Sequence, residues 1–169
     1  INPYSLGESS FGGSGYDIAC GLAKGPIFFT RNSNKPIIQK VNFSPSFTDK
    51  LFFVNLNKKM NSQNAVKNFD LKLVTRSIIS KLNTLTDKIA QTKKLSAFEE
   101  LITQHEFLIG KLLKKNPIKK DLFPDFNGGI KSLGAWGGDF FLATGDRSEM
   151  KYFYDKGFTT IIPYRQMCL

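Results

Sequence analysis

With two cysteines and one histidine in 169 residues, the sequence is poor in the side chains that build disulfide frameworks and metal centres. Cys20 and Cys168 offer neither a disulfide framework nor metal-ligand spacing, so stapled mini-folds and structural zinc sites are set aside and no metal site is expected. No apolar run approaches the ~20 residues of a membrane-spanning helix, and no signal peptide is expected. A reduced, cytoplasmic, soluble protein without a membrane partner is the expectation. Acidic residues are also scarce, 14 against 24 Lys and Arg, which leaves a net charge of +10. Such a balance suits an anionic partner: nucleic acid, a membrane surface or a phosphorylated small molecule. The excess is mostly lysine, in scattered pairs (Lys58-Lys59, Lys93-Lys94, Lys114-Lys115, Lys119-Lys120), a pattern expected of solvated surface. Aromatic residues do not interleave with these pairs as base-stacking requires, so no nucleic-acid partner is expected.

What the chain does have is phenylalanine, 16 residues of it, enough to build a substantial core. Tyr16 to Leu22 reads as a short helix after a Gly/Ser-rich loop over Ser9 to Gly15, ended by Gly25-Pro26. Ile27–Thr30 and Ile37–Val41 are strand-like runs around Asn32-Ser33-Asn34, a hairpin signal. Pro45 marks a boundary. Leu51 to Leu56 is a continuous apolar run of strand length, as in a central strand covered on both faces. From about Ser62 to Pro117 the period becomes helical. Val74, Ile78, Leu82, Leu85 and Ile89 form one stripe, and Phe98, Leu101, Ile102, His105, Leu108, Ile109 and Leu112 a second, joined through Lys93–Ser96. His105, inside an apolar stripe, reads as a core residue or one supporting a site from behind.

After Pro124 the pattern returns to strands, Ile130 to Ala135 and Asp139 to Thr144, flanking a Gly-rich turn. Asp146 and Glu149 make a capping-box pattern for a helix that buries Met150, Phe153 and Tyr154 and ends at Gly157. Thr159 to Tyr164 closes as a strand, at an edge because of Pro163. The order predicts an α+β sandwich of sheet and helices.

Two stretches could carry chemistry. In Phe11-Gly12-Gly13-Ser14-Gly15-Tyr16-Asp17-Ile18-Ala19, Gly13 and Gly15 allow positive φ and close approach of backbone to a ligand. A helix opening after the loop presents free N–H groups and a positive dipole end to an anion. Asp17, in its first turn, could then take or orient the proton of a substrate hydroxyl. Read alone, the stretch better fits an ordinary loop in which Asp17 helps to cap a helix. The second stretch, Lys131-Ser132-Leu133-Gly134-Ala135-Trp136-Gly137-Gly138-Asp139, lacks the Gly-Lys-Ser/Thr ending of a Walker loop. It is either a tight hairpin with a bulge or a turn packed against a ligand.

Together the two stretches resemble the GHMP kinases. That superfamily has a Gly-Ser-Gly-x-Asp element followed, over a hundred residues on, by Lys-x-x-Gly-Ala-x-Gly-Gly. Gly15-Tyr16-Asp17-Ile18-Ala19 looks like its GYDIA family, whose members resemble mevalonate and phosphomevalonate kinases. Leu51–Val66 looks like the segment opening the family's C-terminal domain, and His105 before Leu108 is similar to a His-or-Asn position in a family helix. The resemblance implies two α+β lobes with the active site between them. Residues 1–43 would finish the N-terminal lobe and 44–169 form a ferredoxin-like C-terminal domain.

It further implies γ-phosphoryl transfer from Mg·ATP to the hydroxyl of a small molecule, ATP and Mg²⁺ being the cofactors. Asp17 would be the catalytic carboxylate, with Gly13, Ser14, Gly15 and Tyr16 on the substrate side. Gly134, Ala135, Trp136, Gly137 and Gly138 would close the site. Two departures qualify the likeness. The family's ATP-binding loop, upstream of Gly-Ser-Gly-x-Asp, is missing, and with Ile1 at its head the chain reads as a fragment that alone would be inactive. Trp136 stands where most relatives carry Gly, an indole expected to narrow the pocket. A decarboxylase of the same superfamily and a non-catalytic basic binding module are the alternatives, and the sequence leaves monomer or homodimer open.

Overall fold

The computed structural model describes residues 15–30, 36–59, 69–134, 136 and 138–168. The chain divides into two compact units, Ile1–Phe43 with Cys168–Leu169, and Ser44–Met167. In the first unit, helix α1 (Tyr16–Leu22) ends as Ala23 turns extended, its N–H closing the last turn on the carbonyls of Ala19 and Cys20. Strands β1 (Ile27–Thr30) and β2 (Ile37–Lys40) pair antiparallel with Ile27 opposite Lys40 and Thr30 opposite Ile37. The Val41 N–H extends the ladder to the Pro26 carbonyl at 2.9 Å. The hairpin expected here therefore forms, while its tip at Asn32-Ser33-Asn34 lies outside the described residues. Cys20 and Cys168 form no disulfide.

The second unit is built on an antiparallel four-stranded sheet. Its strands are β3 (Leu51–Asn55), β4 (Ile130–Ser132), β5 (Phe140–Thr144) and β6 (Ile161–Pro163), in the order β4-β5-β3-β6. The helices are α2 (Arg76–Gln91), α3 (Leu95–Leu113), α4 (Ile118–Leu122), α5 (Lys151–Asp155) and α6 (Tyr164–Met167). Successive strand side chains point to opposite faces, and Leu51, Phe52 and Val54 are all buried, so β3 is the doubly covered inner strand that its apolar run implied. β6, with Pro163, is an edge.

The register sets Phe52 opposite Ala143, Val54 opposite Phe141, and Ile130 opposite Ala143, which gathers apolar residues on one face. Ile118, Phe123, Phe126, Met150 and Phe153 pack with them into the core. Phe153 is its hub, with ring centroids 5.2 Å from Phe123, 4.6 Å from Phe126 and 5.3 Å from Phe141. On the other face Phe53 stacks on Tyr164 of α6. The Lys pairs are exposed except Lys119, whose ammonium donates to the Gly128 carbonyl at 2.7 Å.

Several local expectations shift. Thr75 caps α2, its hydroxyl accepting from the Ile78 N–H at 3.2 Å, so Val74 of the expected stripe precedes the helix. Tyr154 is 48% exposed rather than buried, because one step along α5 from Phe153 turns the side chain to solvent. Half of the capping box forms: the Glu149 carboxylate accepts from the Asp146 N–H at 2.6 Å. The Asp146 carboxylate is engaged by Lys50 instead, and α5 starts only at Lys151. Helix α4, with Pro117 at its N-cap, was not anticipated. The strand expected over 130–135 ends at Ser132.

The single histidine lies on α3. Its Nδ1 is enclosed without a hydrogen-bond partner. Burial, with a smaller contribution from the Lys131 ammonium, pushes its pKa down to about 4.

Two tests follow from this packing. Phe153→Ala should cost ~3–5 kcal/mol by denaturant unfolding, the scale for emptying a core aromatic site, while Tyr154→Ala should stay within ~0.5 kcal/mol; equal losses would contradict the core described. NMR titration of His105 should give a midpoint near 4. Since the unfolded imidazole titrates at ~6.5, the unfolded chain binds more protons between these values. Stability that is full above the unfolded value should therefore fall as pH drops toward 4. A midpoint at the ordinary value would refute the burial.

Candidate active site

The first stretch lies in the smaller unit. Gly15 is the N-cap of α1 with φ 80°, a left-handed conformation strained for any L side chain, and this answers the sequence reading of that glycine. Its carbonyl accepts from the Ala19 N–H at 3.1 Å. Tyr16 is 48% exposed and meets Phe29 edge-on at 5.8 Å. Asp17 is the second residue of the helix, inside its first turn, while the cap position belongs to Gly15. Gly13 and Ser14 lie outside the described residues. A groove of about 230 Å³, lined by Leu22, Pro26, Ile27, Ile38 and Val41 among others, sits at the opposite end of the helix from Asp17.

The second stretch joins β4 to β5 in the larger unit. Gly134, Trp136 and Asp139 all have positive φ, at 59°, 62° and 55°. Ala135 and Gly137 lie outside the described residues, and Gly138 is buried. The far end of the turn is tied down by backbone: the Asp139 N–H donates to the Lys58 carbonyl and the Leu56 N–H to the Asp139 carbonyl, both at 2.7 Å. At the near end the Leu133 N–H reaches the Phe140 carbonyl at 3.3 Å.

The middle of the turn is held by a side chain. Trp136 is 5% exposed, and its indole Nε1 donates to Glu106 Oε1 of α3 at 2.9 Å. Ser132 Oγ donates to Glu106 Oε2 at 2.8 Å. Lys131 Nζ lies 3.1 Å from Oε1 and also donates to the Ser132 carbonyl at 2.7 Å. Glu106 itself is 2% exposed. A carboxylate so deep must be matched by donors and a counter-charge, and Ser132, Trp136 and Lys131 supply both. The indole expected to narrow a pocket is thus turned toward helix α3.

Glu106 and Gly110 are the residues that sequence reading missed. The buried line of α3 runs Phe98, Ile102, Glu106, Gly110, in steps of four, while Leu101, His105, Leu108 and Ile109 of the expected stripe are half-buried. Continuing the four-residue step from Phe98 and Ile102 would have found both. Gly110 has a steric reason to be glycine: a Cβ there would lie 2.7 Å from the Lys115 carbonyl oxygen and 3.1 Å from Trp136 Cη2.

Among the described residues, no group of three or more His, Cys, Asp and Glu side chains comes together to hold a metal ion. Mg²⁺ in phosphoryl transfer needs no such cage, since one or two carboxylates and the nucleotide's phosphates hold it. No described helix is long and apolar enough to cross a membrane.

No family model and no curated protein sequence matches the chain. Among solved structures, it is similar to mevalonate kinase from L. major in complex with R-mevalonate, with a TM-score of 0.62 and 14% identity. The match covers 92% of this chain and 54% of that one, so the chain spans about half the length of that kinase. At this identity the likeness shows the fold, and the chain has a GHMP kinase-like α+β fold.

Proposed function

We propose that the protein is a phosphotransferase of GHMP kinase type, moving the γ-phosphoryl group of ATP to the hydroxyl of a small molecule of the mevalonate or phosphomevalonate kind. The observation that carries this reading is the shared fold with a mevalonate kinase across 92% of the chain, joined to two sequence stretches that resemble the family's motifs. Residues 1–43 are assigned to the end of an N-terminal lobe and 44–169 to the C-terminal domain.

Asp17 is the catalytic carboxylate in this reading. It stands in the first turn of α1, behind a glycine in the left-handed conformation that glycine adopts without a Cβ penalty. Its role is to orient the acceptor hydroxyl and take its proton. Gly13, Ser14, Gly15 and Tyr16 shape the acceptor's surroundings, and Gly134, Ala135, Trp136, Gly137 and Gly138 form the closing turn. Phosphoryl transfer asks mainly for positioning and charge neutralisation, so one carboxylate among glycines meets the demand on the acceptor side. Mg·ATP, when bound, supplies the phosphoryl group and neutralises its charge.

In the full-length protein, Asp17→Asn should lower turnover of ATP with (R)-mevalonate or its 5-phosphate by ~10²-fold or more, the scale of a lost general base. Turnover close to wild type would remove Asp17 from the reaction. Release of carbon dioxide in place of a phosphorylated alcohol would assign the protein to decarboxylation.

A further inference from the structure

We propose that Glu106 is the positioning residue of the Gly-rich turn: from inside α3 its carboxylate fixes Trp136, and through Trp136 the backbone that β4 hands to β5. The inference deepens the kinase reading and rests on it for the turn's contact with the acceptor. The anchoring itself stands on geometry alone.

Trp136 has φ 62°, a region in which a bulky residue is an outlier. A strained conformation of this kind persists only where its surroundings over-determine it. Three features do so here. The indole N–H is committed to Glu106 Oε1 at 2.9 Å. The far edge of the ring occupies the berth left by Gly110, 3.1 Å from where a Cβ would stand. Lys131 and Ser132, on the strand leading into the turn, bind the same carboxylate at 3.1 Å and 2.8 Å. The strand and the tip of the turn are therefore registered against one fixed point, 30 residues upstream of Trp136. Glu106 is not placed to touch substrate; it acts through the turn.

The carboxylate presents two acceptor oxygens to these donors. Glutamine keeps one: its carbonyl can still accept from the indole, and its amide can donate to the Ser132 hydroxyl, which accepts as well as donates. Alanine keeps neither. Glu106→Gln should therefore hold the indole, though with Lys131 left without its counter-charge and at reduced stability, and Glu106→Ala should release it.

Trp136 is the only tryptophan in the sequence, so intrinsic fluorescence reports this site alone. In the full-length protein, Glu106→Ala should red-shift the emission and raise acrylamide quenching several-fold at unchanged far-UV circular dichroism, with Glu106→Gln close to wild type. An unshifted indole in folded Glu106→Ala overturns the anchoring. Should that variant not fold, the wild-type indole N–H decides: slow hydrogen exchange in NMR supports the anchor, and exchange at the rate of a free indole overturns it. With (R)-mevalonate as acceptor, Glu106→Ala should raise the acceptor KM about tenfold while the KM for ATP holds, a split that a loss of folded protein would not produce. A released indole with an unchanged acceptor KM leaves the anchor standing and removes the turn from the acceptor site, which is a failure of the kinase reading's second stretch.

Discussion

A carboxylate removed from water must be met by donors and an opposite charge, and the larger unit is organised around one that is. Glu106 sits on the buried line of α3 and binds Lys131, Ser132 and Trp136 from the adjoining strand and turn. Breaking such a pair by deleting one partner costs ~3–5 kcal/mol, because the other charge is left buried and unmatched. The helix, the edge strand β4 and the turn thereby share one buried carboxylate.

A second carboxylate extends the same logic. Glu99 lies seven residues before Glu106, two helical turns, and so on the same face. It binds the Thr144 hydroxyl at the end of β5. That hydroxyl also accepts from the Gly129 N–H at 2.7 Å. The approach of chain to strand is close there: a Cβ on Gly128 would lie 1.9 Å from the Thr144 carbonyl oxygen. Two polar ties, Glu106 and Glu99, thus join helix α3 to the sheet beside the buried Phe98 and Ile102. The aromatic hub around Phe153 supplies the bulk of the burial, whereas the carboxylates fix the register of helix on sheet.

Much of the scaffold was legible in the sequence because it follows from periodicity. The inner strand at Leu51, the hairpin at Ile27 and Ile37, the helices over 76–91 and 95–113 and the edge strand at Pro163 each announce themselves by apolar spacing or by proline. Gly15 was legible from its place before a helix, and its φ of 80° is the reason for it. What hid was polar or small. Glu106 and Gly110 occupy core positions that a hydrophobicity pattern assigns to neighbours such as Leu108 and Ile109. The partner of Glu106 lies 30 residues away, and pairing at that distance leaves no trace in local pattern. Tyr154 erred in the other direction, since five residues of helix are too few for a stripe to declare its face.

On the functional side, the proposed kinase reading joins a fold likeness to a motif resemblance. The fold likeness concerns backbone shape at 14% identity, while the motif likeness concerns a few residues around Asp17 and Trp136. The measurement that bears most directly on it is ³¹P NMR of the full-length protein with Mg·ATP and (R)-mevalonate or its 5-phosphate. A new phosphorylated-alcohol resonance growing at the rate at which ADP appears is the result expected. ADP appearing with inorganic phosphate alone, or no ADP at all with either alcohol, would contradict the assignment.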